Sequence, residues 1–217
     1  MGLRIYLFLL AFLVYLPIVF NPVLVLDRNN DLEEFFWPII HFAKQSILET
    51  NQIPLWNNLF FAGMPLLSDP QSPLFYPFNL IFLALPINTA FILFFILHAF
   101  IGGIGMFLLA KNFGLKNAFS FFAAALYTAA PKAFGYLEAG HIGLVTSFAW
   151  IPFVFLGTFR LIKLPTLNSA IILAVSLAAT FYTHIPTFLI AGSLSALVLS
   201  ANLISHKKIV KRPILWG

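Results

Sequence analysis

Six long apolar runs, separated by connections that hold nearly all of the charge, constrain this chain more than any other feature. They are residues 5–26, 87–110, 117–136, 143–162, 166–183 and 186–205. At about 1.5 Å of rise per residue, roughly 20 such residues cross ~30 Å of hydrocarbon. No water reaches a backbone amide in that medium, so a spanning segment satisfies its own hydrogen bonds as a helix. A β-barrel needs short alternating segments instead. Composition agrees: 61% of residues are hydrophobic, 9% are charged and the mean hydropathy is +0.96, outside the range of a water-soluble domain. The expected fold is all-α, a polytopic integral membrane protein with about six transmembrane helices. Residues 1–217 read as a single membrane domain.

Residues 1–20 carry a basic flank at Arg4 and an apolar stretch, as a signal peptide does. The stretch continues to Leu26 without a small-residue cleavage site, so it reads as a retained anchor. Alternate connections then fall into two sets. Arg4, Lys111, Lys116, Arg160, Lys163, Lys207, Lys208, Lys211 and Arg212 lie on one side, and Arg28, Lys44 and Lys132 on the other. The positive-inside rule makes the first set cytoplasmic. All seven acids, Asp27, Asp31, Glu33, Glu34, Glu49, Asp69 and Glu138, fall on the opposite, outer side. The expected location is therefore the cytoplasmic (cell) membrane, with the N-terminus cytoplasmic and the first long loop, 27–86, outside. The net charge of +5 follows topology and does not form a nucleic-acid surface. With no cysteine, disulfides, iron–sulfur clusters and thiolate zinc sites are excluded. The closing "KKIVKRPILWG" looks like a basic loop followed by the start of another apolar run, and the chain reads as the N-terminal portion of a longer membrane domain.

Within the outer loop, Leu32, Phe35, Phe36, Ile39, Ile40, Ala43 and Ile47 share one arc at 100° per residue, with Glu34, His41, Gln45 and Glu49 opposite. This predicts an amphipathic helix lying in the membrane interface. Asp31 is the expected N-cap, Glu34 its capping-box partner, and Pro38 the cause of a kink one turn on. The stretch that follows, with Pro54, Gly63, Pro65, Pro70, Pro73 and Pro77, is too broken to span. It is expected to cover the outer surface, with Trp56, Phe60, Phe61, Phe75 and Tyr76 at headgroup level.

Few groups here are suited to chemistry. Asp31, beside Glu33 and Glu34, is either a helix cap or a working carboxylate in a dense negative cluster. Asp69, in "SDPQSP", is either a turn initiator or a second such carboxylate. Lys132, Glu138 and His141 gather at a helix mouth, and His184 sits in the short outer turn "YTHIPT". His98, inside a run, reads as hydrogen-bonded to a neighbouring helix, and Gly102, Gly103 and Gly105 as a close-packing surface. No metal-ligand spacing, nucleophile elbow, P-loop or dinucleotide fingerprint occurs.

The loop resembles the first outer loop of the YfhO-like bacterial membrane proteins, of the GT-C class of polytopic glycosyltransferases. The likeness is carried by Asp31, then Pro54, Leu55, Trp56 and Asn57, then Gly63 and Pro65, then Asp69, Pro70 and Gln71, then Phe75, Tyr76 and Pro77. Farther on, Gly140, His141, Ala149, Trp150 and Pro152 resemble the family's Gly-His and Ala-Trp-x-Pro elements, and Asn51 stands where its turn has Gly. The resemblance implies transfer of a sugar from a polyprenyl-phosphate-linked carrier in the lipid bilayer to a glycan, lipid or protein acceptor on the outer face. In that reading Asp31 takes the acceptor proton. Asp69, with Asp31, holds a divalent cation (Mg or Mn) or orients the acceptor. Lys132 and His141 meet the phosphate, and Glu34, Glu138 and His184 complete the substrate-binding set. Two other readings stay open: a transporter or flippase of lipid-linked sugars, and a non-catalytic assembly subunit.

Overall fold

The structure, a computed structural model, describes residues 2–26, 28–60, 62–68 and 74–210, with side chains from 5 to 205. Helix α1, Gly2–Val14, breaks at Tyr15 and gives way to α2, Leu16–Phe20, with Pro17 in its first turn. A 3-10 turn, Pro22–Leu24, follows. Each proline lacks the amide a continuing helix needs, so the run expected over 5–26 is broken twice.

A wide π turn, Leu32–Phe36, leads into α3, Trp37–Thr50, and the Trp37 amide reaches the Leu32 carbonyl. Pro38 offers no donor to the Glu34 carbonyl and crowds it, so the kink expected at Pro38 takes the form of a widened turn. The predicted arc is buried at Leu32, Ile39, Ile40 and Ala43, while Glu34, Gln45 and Glu49 are exposed. The arc, expected to face the membrane interface, meets protein. Ile39 and Ala43 pack with Leu66, Phe60 and Leu74 from the same loop, and Ile40 joins the main core. Asn51 closes α3 with φ 54, the left-handed conformation that Gly or Asn supplies at a helix C-terminus. A small hairpin, β1 Trp56–Asn57 and β2 Met64–Pro65, follows, and then a 3-10 turn, Pro77–Leu80, and α4, Ile81–Ala84.

The bundle consists of α5 Ile87–Asn112, α6 Asn117–Thr128, α7 Pro131–Glu138, α8 Ile142–Lys163, α9 Leu167–Thr183 and α10 Ile185–Val210. Among the described residues three helices are long and apolar enough to cross a membrane: Ile87–Asn112, Ile142–Lys163 and Ile185–Ser205. The apolar helices Ile5–Val14 and Leu167–Thr183 are shorter. The run expected over 117–136 is interrupted: α6 has 12 residues, and Pro131 starts a separate helix. Small residues let the helices touch. A Cβ on Gly102 would lie 3.3 Å from the Ala149 Cα, one on Gly105 would lie 2.7 Å from the Phe153 ring, and one on Gly157 would lie 2.6 Å from the Leu173 amide nitrogen.

Tyr76, expected at headgroup level, is instead buried at 3% exposure between α5 and α8. His98 Nδ1 lies 2.7 Å from the Phe94 carbonyl, which can only accept, so Nδ1 bears the proton. Its Nε2 therefore accepts from the Tyr76 hydroxyl at 2.6 Å, and the Tyr76 oxygen accepts from Trp150 Nε1–H at 2.7 Å. Burial, offset in part by the Trp150 hydrogen bond, holds the phenol above its ordinary pKa, so it remains a donor. His98 is thus hydrogen-bonded within its own helix and to the loop. Trp37 donates to Asn88 of α5 at 2.8 Å, and Lys44, donating to the Leu85 carbonyl at 2.6 Å, ties α3 to the loop's own end.

Contacts sort the connections into two ends. At one, Lys163 donates to the Asn112 carbonyl and lies 5.7 Å from the Phe113 ring. The other carries the loop and every described carboxylate.

Candidate functional site

The site forms where the loop after α2 meets the α7–α8 turn. Helix α7 ends in a Schellman turn: the His141 amide bonds the Tyr136 carbonyl at 3.0 Å and the Gly140 amide the Leu137 carbonyl at 3.0 Å. Gly140 sits at φ 78, and a Cβ there would lie 2.3 Å from the Leu32 nitrogen. Only glycine satisfies both conditions, and the approach it permits carries the start of the π turn to His141.

Asn30 fastens this contact. Its Nδ2 donates to the carbonyls of Glu138 at 3.0 Å and Val25 at 3.3 Å, and its Oδ1 accepts from the Glu33 amide at 3.2 Å. Glu33 in turn accepts from the Asn29 amide at 2.9 Å. The cap expected from Asp31 with Glu34 is therefore made by Asn30 with Glu33, one residue earlier. A carboxamide wins this place because it donates and accepts at once, whereas a carboxylate only accepts. Asp31 is already helical, at φ −57, and makes no cap bond. Its released carboxylate lies 2.9 Å from His141 Nδ1, both side chains being about half exposed.

A second close approach adds His184. A Cβ on Gly143 would lie 2.4 Å from the Thr183 carbonyl oxygen, so the start of α8 lies directly against the end of α9. His184 then caps α10: its Nδ1 accepts from the Thr187 amide at 3.2 Å and lies 2.7 Å from the Thr187 hydroxyl. A backbone amide can only donate, so neutral His184 carries its proton on Nε2.

Asp31, His141 and His184 line one cleft of about 630 Å³, with Phe35, Phe36 and Leu144 as apolar walls. A second cavity of about 240 Å³, lined by Ile40, Ala43, Lys44, Leu80 and Leu83, lies under α3. A gap of about 30 Å³ shares Phe36 and Thr183 with the cleft and Ile40 and Tyr76 with the cavity.

Three of the other expected site residues, Glu138, Lys132 and Glu34, are outside the lining of the cleft. Glu138 pairs with Arg28 at 2.9 Å in an exposed contact beside it. Lys132 stands on α7 with its ammonium 5.6 Å from the Tyr136 ring, and Glu34 is exposed on the π turn. None of the three lines the cleft. Asp69 lies outside the described residues, as do Phe61, Pro70, Gln71 and Pro73. Among the described residues no group of three or more His, Cys, Asp or Glu is placed to hold a metal ion. Of the two residues expected to hold a divalent cation, Asp31 lines the cleft and Asp69 lies outside the described residues.

Burial first, and then the neighbouring His141 imidazole, lower the His184 pKa from its ordinary 6.5. Folding then favours neutral His184, whereas the unfolded chain takes up a proton as pH falls through 6.5. Stability contributed by the neutral ring is present above 6.5 and is lost as pH falls toward the depressed folded value. His184→Gln is therefore expected to flatten the acid-side fall in thermal stability and to leave the curve above pH 7 parallel to wild type. Equal slopes below pH 6.5 count against the assignment.

Comparisons of the chain with protein-family models, with curated proteins and with solved structures gave no match.

Proposed function

We propose that this protein is a membrane glycosyltransferase of GT-C type, related to the YfhO-like proteins. It moves a sugar from a polyprenyl-phosphate carrier to an acceptor on the outer face of the cytoplasmic membrane. The observation that carries the reading is the pairing of Asp31 with His141 in a cleft of about 630 Å³ that also contains His184. A lipid phosphate leaves readily, so the site needs chiefly a proton acceptor for the incoming hydroxyl and donors for the departing phosphate. One carboxylate and two imidazoles in one cleft supply that set. The apolar cavity under α3 offers a place for part of the carrier's hydrocarbon chain. Support for orientation comes from charge: every described carboxylate is at the cleft end, while Lys111, Lys116, Arg160 and Lys163 lie at the other. In this reading the broken first run, α6 and α9 complete six crossings beside the three long helices. Lipid covers the α10 face, where Leu189, Ile190 and Leu197 are each more than half exposed.

A flippase reading calls for an ionisable group free to act inside a span. His98 is buried, and both of its ring nitrogens are engaged. The test uses vesicles containing the protein and a radiolabelled polyprenyl-phosphate sugar. Label moving to a non-prenyl product, and lost in Asp31→Ala, is the expected result. Carrier that crosses the bilayer with its sugar still attached overturns the transferase reading in favour of a flippase.

A further inference from the structure

We infer that His141, and not Asp31, takes the proton from the acceptor hydroxyl, with Asp31 as its positioning residue and His184 as the donor to the departing phosphate. The assignment rests on the transferase reading above and deepens it.

The Asp31 carboxylate can only accept, so at 2.9 Å it takes the proton on His141 Nδ1. In its neutral form His141 then presents Nε2 as a bare lone pair, and among the described residues that atom has no hydrogen-bond partner. His184 is held in the opposite sense. Its Nδ1 is taken by the Thr187 amide, so its Nε2 carries the hydrogen. One cleft thus contains two imidazoles fixed in opposite tautomers, one to accept a proton and one to donate a hydrogen bond. Each is set by a partner that lies outside the reaction. The Asp31 oxygen held by His141 is already engaged, and His141 lines the same cleft.

The acceptor oxygen attacks the sugar's anomeric carbon and its proton passes to His141 Nε2, giving an imidazolium that Asp31 stabilises. The bond from the anomeric carbon to the phosphate oxygen breaks, and its electron pair stays on the lipid phosphate. His184 Nε2–H donates to that oxygen. Water later removes the proton from His141. Among the described residues, the other charged groups nearby are Glu33 and Glu34 on the π turn and the Arg28–Glu138 contact beside the α7–α8 turn, and none of them lines the cleft.

The tautomers can be read without any turnover. The protein, labelled with ¹⁵N-histidine and reconstituted in lipid at a pH where the rings are neutral, is examined by solid-state NMR. Its five histidines are assigned by single His→Gln variants. Nδ1–H is expected for His141, reverting toward Nε2–H in Asp31→Ala, and Nε2–H for His184. His141 found as Nε2–H in the wild type overturns the inference. Kinetics give the second arm, with the labelled polyprenyl-phosphate sugar. His141→Gly is expected to lose about 10²–10⁴-fold in transfer rate, the range for general-base catalysis, and to regain part of it with added imidazole. Retained transfer in His141→Gly, with Asp31→Ala silent but rescued by formate, returns the base role to Asp31 and overturns the inference while leaving the transferase reading intact. A wild-type protein with the expected tautomers that transfers nothing overturns the transferase reading, and the catalytic roles fall with it.

Discussion

Gly140→Val is expected to separate the two halves of the site and to lower sharply the sugar transfer proposed for it, while leaving the helical bundle assembled. Two penalties combine at this position. A β-branched residue at φ 78 is strained by about 1–3 kcal/mol. Its Cβ would also stand 2.3 Å from a backbone nitrogen, an overlap that no rotamer change relieves, and overpacking of this kind costs about 1–3 kcal/mol more. The least expensive escape is to move residues 28–32 away from the α7–α8 turn, which breaks the Asn30 contacts and withdraws Asp31 from His141. Circular dichroism is therefore expected to report near-native helix content, and the transfer assay a loss of at least about 10²-fold. Gly135→Ala is the control. It lies in the same short helix with nothing within 4 Å of an added Cβ, so it should retain activity and gain up to about 1 kcal/mol in helix stability. Full transfer in Gly140→Val removes the close approach from the mechanism.

Tyr76→Phe is expected to cost about 2–5 kcal/mol, far more than one hydroxyl at a membrane surface. It leaves the buried His98 Nε2 lone pair and the half-buried Trp150 Nε1–H unpaired, at about 1–3 kcal/mol each, the lower end for Trp150. A double-mutant cycle isolates the cause. With His98→Leu also present, only Trp150 remains unpaired, so the combined loss in detergent-solubilised thermal stability should be clearly less than the sum of the two single losses. Additivity would mean that Tyr76 and His98 contribute independently and that the chain from Trp150 through Tyr76 to His98 is not a unit.

Much of the helix pattern was legible because period reports burial wherever one face of a helix is covered. The arc of α3 follows the predicted residues, and the small residues of α5 do pack closely. What period cannot report is what covers the face, and α3 turned out to lie on its own loop. Tyr76 was misassigned for a related reason. An aromatic residue before proline reads as an interfacial anchor unless its partners are known, and those partners lie 22 and 74 residues farther along the chain. The breaks near Tyr15 and after Thr128 were signalled by Pro17 and Pro131, but hydropathy averaged over 20 residues ran across them. At the site, Asp31, His141 and His184 all stand out in the sequence as ionisable groups in connections between apolar runs. The difference between them and Glu34, Lys132 and Glu138 depends on two glycine contacts, and no spacing rule encodes which backbone will meet which. Likewise "RNND" offers several residues able to cap a helix. Asn30 takes that role because the Glu138 carbonyl, 108 positions away, requires a donor.

The Tyr76 anchorage also fixes an order of events during synthesis. The outer loop leaves the ribosome well before Trp150 does, and the tyrosine hydroxyl has no complete set of partners until both α5 and α8 have entered the bilayer and come together. A nascent chain halted ahead of residue 150 therefore holds the loop only through the His98 and Asn88 contacts to α5, and proteases reach it more readily than in the complete bundle. Protection of that loop marks the moment at which α8 finds its place beside α5.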